Sequence, residues 1–178
     1  DIQVHFIPYK VELKDGKRIL GKEPGITCTV NQNRPESKGS IHIKSDNPEE
    51  YPSIRYNFLS NQLDKDTLVA GVKLIRQIMQ SDPMKEFCDD EIQPGLAFAS
   101  DEEILKYIKD KAETVYHPVG TCKMGFDEYA VVDKNLKVHG IKGLRIADAS
   151  IMPTLISGNT NAACMMIGER CADFILNN

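Results

Sequence analysis

The spacing of the apolar residues changes near residue 60, and this change limits the folds that are open to the chain. Before that point apolar and polar residues alternate, as in Ile2, Val4 and Phe6, which is typical of half-buried β-strands. After it apolar residues recur at three- and four-residue steps, as in Leu68 and Val72, which is typical of an amphipathic helix. We therefore predict an α+β fold, in which an antiparallel sheet is accompanied by helices.

The first sixty residues are predicted to form that antiparallel sheet. Two antiparallel strands are expected, one on each side of Asp15-Gly16, because this dipeptide is a strong signal for a two-residue hairpin turn. Further strands are predicted in residues 1–9, 25–30 and 39–44.

Three helices are predicted after the sheet. The first follows a capping signal at Asp66-Thr67 and stops near Pro83. The second begins after Ser100, which together with Glu103 has the pattern of a capping box. The last is expected over residues 159–176.

The sequence pattern changes near residue 115, from the predicted strands and helices to Gly-rich turns around short apolar runs. We therefore predict two parts, residues 1–115 and residues 116–178. The chain begins without Met, in what reads as a strand, and we expect it to be the C-terminal part of something longer.

Composition excludes several classes of function. The formal net charge is 22 − 26 = −4, so there is no general electrostatic reason to bind nucleic acid. No stretch approaches the ~20 apolar residues of a membrane-spanning helix. The five cysteines are odd in number and never form C-x-x-C, so neither a disulfide framework nor a metal site is indicated, and we expect a reducing, cytoplasmic setting.

In the second part a short strand of the buried type is predicted over residues 144–148, and a carboxylate lies at its end. In α/β sheets ligands bind beyond the carboxyl ends of strands, so Asp148, after Leu144–Ala147, is placed to accept hydrogen bonds from the hydroxyls of a cofactor. The alternative is that Asp148 only caps a turn or a helix.

A polar turn precedes the last helix. Ser157-Gly158-Asn159-Thr160-Asn161 leads into Ala162-Ala163, so free N–H groups and the positive end of a helix dipole would face a docking group. A phosphate or an anionic ring system would be stabilised there. The alternative is simple N-capping by Asn159 or Asn161.

Among the four histidines, His117 lies in a loop, between Tyr116 and Pro118, and its imidazole is suited to general base catalysis. We interpret His5, His42 and His139 as structural or exposed. A lone histidine is more often structural, so a structural role stays the alternative for His117 taken alone.

The order of these features resembles the C-terminal signature of the glucose-methanol-choline (GMC) oxidoreductases, which are FAD-dependent alcohol dehydrogenases and oxidases. The resemblance is carried by Tyr116–Gly125, Val131–Asp133, Val138–Gly140, Gly143–Pro153 and Ser157–Ala162, and earlier by Arg34–Ile41 and Asp66–Gly71. The G-x-G-x-x-G turn that holds the FAD pyrophosphate in the family does not occur in these residues.

The resemblance implies a substrate-domain sheet joined to the last strand and terminal helix of a Rossmann-like FAD-binding domain. It implies that His117 takes the proton of an alcohol while hydride passes to the flavin N5, and that Asn159 hydrogen-bonds the substrate oxygen. It also implies cofactor contacts, which fall on Asp148, Ala149, Asn159, Thr160 and Asn161. Asn rather than His at position 159 favours the choline-dehydrogenase-like branch.

The partners implied are an N-terminal FAD-binding portion and a small alcohol substrate, with choline, aliphatic and aromatic alcohols all open. Exposed apolar faces would favour a homo-oligomer if the chain stands alone. The competing hypothesis is a non-catalytic binding or assembly module that keeps the GMC C-terminal fold.

Overall fold

The computed structural model describes residues 1–14 and 17–177, and by their contacts they fall into two compact units. The first unit comprises residues 1–32 and 61–113, and the second comprises residues 33–60 and 114–178. The predicted division into a substrate-binding portion, residues 1–115, and a C-terminal segment with the catalytic residues and FAD contacts, residues 116–178, stays a prediction. In packing, residues 33–60 group with the C-terminal segment.

The first unit contains two antiparallel strand pairs. Strand β1 (Ile2–Ile7) pairs with β4 (Thr27–Gln32), and β2 (Val11–Lys14) pairs with β3 (Lys17–Leu20). The antiparallel pairing predicted on either side of the hairpin signal is confirmed, and the turn residues Asp15 and Gly16 lie outside the described residues.

The prediction of one sheet over the first sixty residues is wrong in its connectivity. Strand β5 (Ser40–His42) pairs with β6 (Ser53–Arg55) in the second unit, so the described strands form three two-stranded sheets. The reason is that alternation fixes the two faces of a strand and does not fix its neighbour, which is decided by hydrogen bonds between distant residues.

Helix α1 (Gln62–Met79) packs on β4. A Cβ added at Gly71 would lie 2.8 Å from Cγ2 of Val30, so glycine permits the close approach of helix and strand. The helix begins earlier than predicted, because the Asn61 side chain accepts a hydrogen bond from the backbone N–H of Leu63 and Asp66-Thr67 lies inside the helix.

Two further helices complete the first unit within the described residues. Helix α2 (Asp82–Lys85) is a single turn, and α3 (Asp101–Lys111) begins at the predicted capping box. The Ser100 hydroxyl accepts from the backbone N–H of Glu103, and the Glu103 carboxylate accepts from the backbone N–H of Ser100 at 2.9 Å. The predicted start of this helix is confirmed.

The second unit is organised by an apolar core beneath α4 (Asn161–Leu176) and a short 3₁₀ helix (Ala149–Ile151). The terminal helix is confirmed, and it begins two residues after the predicted start. The buried core side chains belong to Val132, Leu136, Ile151, Met152, Ile167 and Cys171.

Residues 144–148, predicted as a strand, are extended but make one bridge rather than a ladder. Arg145 pairs with Lys137, the N–H of Ile146 donates to the carbonyl of Leu136, and the carbonyl of Leu144 accepts from Val138. A strand needs a neighbour along its whole length, and the described residues beside this segment, Lys137 and Val138, make only isolated bridges.

The chain therefore has an α+β fold with short antiparallel sheets and four α-helices among the described residues. None of these helices is long and apolar enough to cross a membrane. The five cysteines are free thiols, and the described His, Cys, Asp and Glu side chains form no cluster of three or more that could hold a metal ion.

Candidate active site

His117 is held against the beginning of α4. Its Nδ1 lies 2.7 Å from Oγ1 of Thr160, 43 residues further along the chain, and the imidazole is half-buried. The backbone on either side of it is constrained, because Tyr116 has a φ of 61° and Pro118 fixes its own φ. A left-handed conformation at a bulky residue is uncommon, and such positions concentrate at functional sites.

The side chain of Thr160 does not cap α4. Thr160 is the N-cap residue and is 8% exposed, yet its side chain makes no cap hydrogen bond to any described residue. Its carbonyl accepts the first helical hydrogen bond, from the N–H of Cys164. Asn161 is the first residue of the helix and not its N-cap, and Asn159, which lies one residue before Thr160, is exposed.

The turn before α4 is fixed from two sides. Gly158 has a φ of 151°, a conformation that residues with a side chain rarely adopt, although no described atom would lie within 4 Å of a Cβ there. Ser157 accepts a hydrogen bond at 2.7 Å from Nε of Arg34, which lies 123 residues earlier. These constraints set the direction in which Asn159 and Thr160 leave the turn.

Asp148 lies where the extended segment ends. One of its carboxylate oxygens, Oδ1, accepts from the backbone N–H of Ser150 at 2.7 Å, so the residue caps the 3₁₀ helix that starts with Ala149. The capping alternative is thus realised. The side chain remains exposed, and the predicted cofactor contact of Asp148 and Ala149 stays a prediction.

Backbone hydrogen bonds join the loop after His117 to the 3₁₀ helix. The N–H of Cys122 donates to the carbonyl of Ser150 at 2.9 Å, and the N–H of Met124 donates to the carbonyl of Ile151 at 2.8 Å. The three sequence-predicted pieces, namely the His117 loop, the Asp148 turn and the start of α4, therefore belong to one packed unit.

The far end of the same loop carries an ion pair. Lys123 Nζ lies 2.8 Å from Oδ1 of Asp127, and this hydrogen bond, aided by the backbone N–H of Tyr129, lowers the pKa of the Asp127 carboxyl below its ordinary value. Both side chains are at least partly exposed, so the pair orders the loop more than it stabilises the fold.

Sequence reasoning missed two contacts of the site. Thr160 was assigned to the cofactor, and its contact with His117 was not foreseen. Arg34 was noted as part of a resemblance without a role. No local sequence pattern predicts either contact, because the partners are brought together by the fold.

The open helix end suits an anionic or planar group. The first turn of α4 begins without a side-chain cap from Thr160, and Ala162 there is exposed and small enough to allow close approach. The residues present therefore fit the flavin that the resemblance implies. Chemically, the site combines a proton acceptor, an exposed amide and the positive end of a helix dipole.

Comparison with known proteins identifies the family. The family model described as GMC oxidoreductase matches residues 35–168, which is most of the chain and includes His117, Asp148 and residues 157–161. The chain belongs to the GMC oxidoreductase family.

Relatives within the GMC family include choline dehydrogenases. The chain is 41% identical over 175 residues to the oxygen-dependent choline dehydrogenase of Escherichia coli O45:K1 (strain S88 / ExPEC), and 42% identical over 175 residues to that of Citrobacter koseri (strain ATCC BAA-895 / CDC 4225-83 / SGSC4696). In both cases the match covers 98% of this chain and 31% of the relative. The chain thus spans about a third of the length of these curated relatives.

Solved structures of oxidases share the fold. The pyridoxine 4-oxidase from Mesorbium loti is 28% identical with a TM-score of 0.82, covering 90% of this chain and 31% of that one. A formate oxidase variant from Aspergillus oryzae RIB40, described for its FAD modification, is 32% identical with a TM-score of 0.80, covering 87% of this chain and 28% of that one. FAD is therefore the cofactor implied for the family.

Proposed function

We propose that this chain is the C-terminal catalytic part of an FAD-dependent alcohol dehydrogenase that oxidises a CH–OH group. The observation that carries the proposal is the 2.7 Å contact between His117 Nδ1 and Thr160 Oγ1, because it ties a potential general base to the turn that presents Asn159. Two residues predicted for catalysis are thereby anchored at one helix end.

The proposed mechanism assigns one task to each side chain. His117 accepts the hydroxyl proton of the alcohol at Nε2, the ring nitrogen that faces away from Thr160. The amide of Asn159 donates a hydrogen bond to the alcohol oxygen and stabilises the charge that develops there as the proton leaves. Bound FAD would supply the acceptor for the hydride that leaves the alcohol carbon.

The start of α4 would hold the flavin, through its outward N–H groups and Asn161. These groups would stabilise negative charge without any reorganisation of the site. Asp148 would use the carboxylate oxygen that does not cap the 3₁₀ helix to accept hydrogen bonds from cofactor hydroxyls.

The proposal also requires the rest of a longer protein. Residues 144–148 have one bridge and no ladder among the described residues, and we propose that they are the last strand of a Rossmann-like FAD domain whose other strands lie in that remainder. Large apolar side chains of the second unit, such as Phe126 at 85% exposure and Tyr51 at 86%, supply surface that a further domain would cover.

The substrate class follows from the relatives and from Asn159. A neutral amide at this position donates a hydrogen bond without competing for the substrate proton. Together with the choline dehydrogenase names of the relatives, this favours choline or another small alcohol.

The test is a His117→Ala substitution in the full-length FAD-loaded enzyme. Rapid anaerobic mixing with choline should show the rate of flavin reduction falling by about 10²–10⁴-fold, with the bound FAD content unchanged. His42→Ala, which changes an exposed histidine in β5, serves as the control and should leave the rate unchanged. Loss of bound FAD with an unchanged residual rate would contradict the assigned role.

A further inference from the structure

Thr160 contacts one of the two ring nitrogens of His117, and the two nitrogens are not equivalent. In a neutral imidazole one nitrogen carries a proton and the other has a free lone pair. Thr160 Oγ1 lies 2.7 Å from Nδ1, which leaves Nε2 as the nitrogen available to a substrate. The chemistry open to His117 therefore depends on which nitrogen holds the proton.

We propose that Thr160 is a positioning residue, whose hydroxyl oxygen accepts the Nδ1–H of His117 and thereby keeps the lone pair on Nε2. This inference rests on the proposed function, in which Nε2 takes the proton of an alcohol. In that step the O–H bond of the alcohol breaks, an Nε2–H bond forms, and the imidazole becomes a cation that still donates from Nδ1 to Thr160.

The first support is that the Thr160 side chain does not make the hydrogen bond that is usual for an N-cap threonine. An N-cap threonine ordinarily accepts from a backbone N–H of the first turn. Here the side chain makes no such bond within the described residues, and its oxygen faces the imidazole instead. Its acceptor lone pairs are available to Nδ1–H.

The second support is burial. Thr160 is 8% exposed, so little water reaches the hydroxyl to compete for the contact. A polar group at such a site loses more free energy when its partner is removed than an exposed one does. The hydrogen bond is therefore able to select a tautomer.

The third support is the fixed backbone of the loop. The left-handed conformation of Tyr116 and the ring of Pro118 limit the directions in which the imidazole can leave the chain. With the ring held at Nδ1, a rotation that would present Nδ1 to the substrate breaks the contact with Thr160. Orientation and tautomer are thus set by the same bond.

The opposite direction of the hydrogen bond between Thr160 and His117 makes a distinct prediction. If the Thr160 hydroxyl donated its proton to Nδ1, Nε2 would carry the ring proton and could not accept another from the substrate. A measurement of the protonated nitrogen therefore decides the inference without reference to turnover.

The first experiment is ¹⁵N NMR of the histidine rings in the full-length, oxidised, FAD-bound enzyme without substrate. The His117 signals are identified by their absence from a His117→Asn sample. Protonation at Nδ1 with a free lone pair on Nε2 is expected. Protonation at Nε2 in the neutral ring would overturn the inference, whatever the activity of the enzyme.

The second experiment compares three substitutions in the same enzyme. Thr160→Val removes the acceptor but keeps the branched shape, and flavin reduction at saturating choline should slow about 10–100-fold as tautomer and orientation are lost. Thr160→Ser should stay within about threefold of the wild type because the hydroxyl is kept. Thr154→Val, the same change at an exposed threonine, is the matched control.

An unchanged rate in Thr160→Val would contradict the inference, as would equal losses in Thr160→Val and Thr160→Ser. Failure of the proposed function looks different, because His117→Ala would then reduce flavin at the wild-type rate while the NMR result for the tautomer still stood.

Discussion

Helices α3 and α4 begin in opposite ways. At α3 the Ser100 and Glu103 side chains satisfy each other's backbone N–H groups, and the Glu103 carboxylate also accepts from the N–H of Ala99 at 3.1 Å. At α4 the hydroxyl of the N-cap residue Thr160 contacts Nδ1 of His117 instead, and no side-chain cap from it is found within the described part of the chain.

The difference shows where the sequence serves stability and where it serves the site. A missing N-cap costs about 1 kcal/mol of helix stability, so evolution ordinarily fills this position as it does at α3. At α4 the Thr160 side chain does not supply that stabilisation, and its hydroxyl contacts His117 instead. Departures from local rules of this kind are expected at functional sites.

The test with the largest expected effect places a negative charge at the N-terminus of α4. Thr160→Asp would place a carboxylate where the reduced flavin is proposed to carry negative charge. The midpoint potential of the bound flavin should fall by about 30–60 mV, which corresponds to roughly 1.4–2.8 kcal/mol of lost stabilisation of the reduced form. Dye-equilibrated spectroscopic titration of the full-length enzyme measures this shift.

Ser100→Asp is the matched control for that titration. It introduces the same charge at the N-cap of α3, where no cofactor is proposed, and the potential should stay at the wild-type value. Equal shifts in both variants would show that net charge rather than the open end of α4 governs the flavin.

A second test uses one substitution on two glycines near the same helix. Gly158→Ala should destabilise the turn by about 1–3 kcal/mol, because a φ of 151° is costly for alanine. Gly168→Ala, inside α4, should stabilise the helix by roughly 0.5–1 kcal/mol. No described atom lies within 4 Å of a Cβ at either position, so backbone conformation alone predicts the opposite signs.

Urea denaturation of the full-length enzyme, followed by the circular dichroism of the helices, measures the two changes. The Gly158 variant should also lose choline turnover, since the turn directs Asn159 and Thr160. A Gly158→Ala variant with wild-type stability and turnover would refute the role of this glycine in aiming the site.

The elements that sequence predicted well are those set by neighbours in the chain. The capping box at Ser100 follows from residues three apart, and the pairing of β2 with β3 follows from a turn signal between them. The beginning of α1 was misplaced because both Asn61 and Asp66-Thr67 have cap-forming side chains, and local sequence does not decide between them.

The contacts that the sequence could not predict join residues far apart. His117 meets Thr160 across 43 residues, and Arg34 meets Ser157 across 123. No periodicity encodes a partner at such separations, because the fold brings the two side chains together. The order of the motifs predicted which types of residue lie near α4, whereas the contact between Thr160 and His117 required the structure.

The smallest effect is expected at the closed end. Three hydrogen bonds to the Glu103 carboxylate, first that from the Ser100 backbone, lower its pKa below the ordinary value of 4.5. A carboxyl with a lowered pKa in the folded state stabilises the fold above its ordinary pKa, and this contribution is lost as the pH falls through the lowered value. Hydrogen-exchange protection in the first turn of α3 should therefore be higher in the wild type than in Glu103→Gln at pH 7, and this difference in protection should become smaller below about pH 4.5.

Glu102→Gln removes a charge from the same turn but leaves the capping carboxylate, so it should keep the wild-type pH dependence. A gap between wild type and Glu103→Gln that stays constant down to pH 3 would mean that an uncharged side chain caps this helix in the same way, and the contrast with α4 would then depend on hydrogen-bond geometry alone.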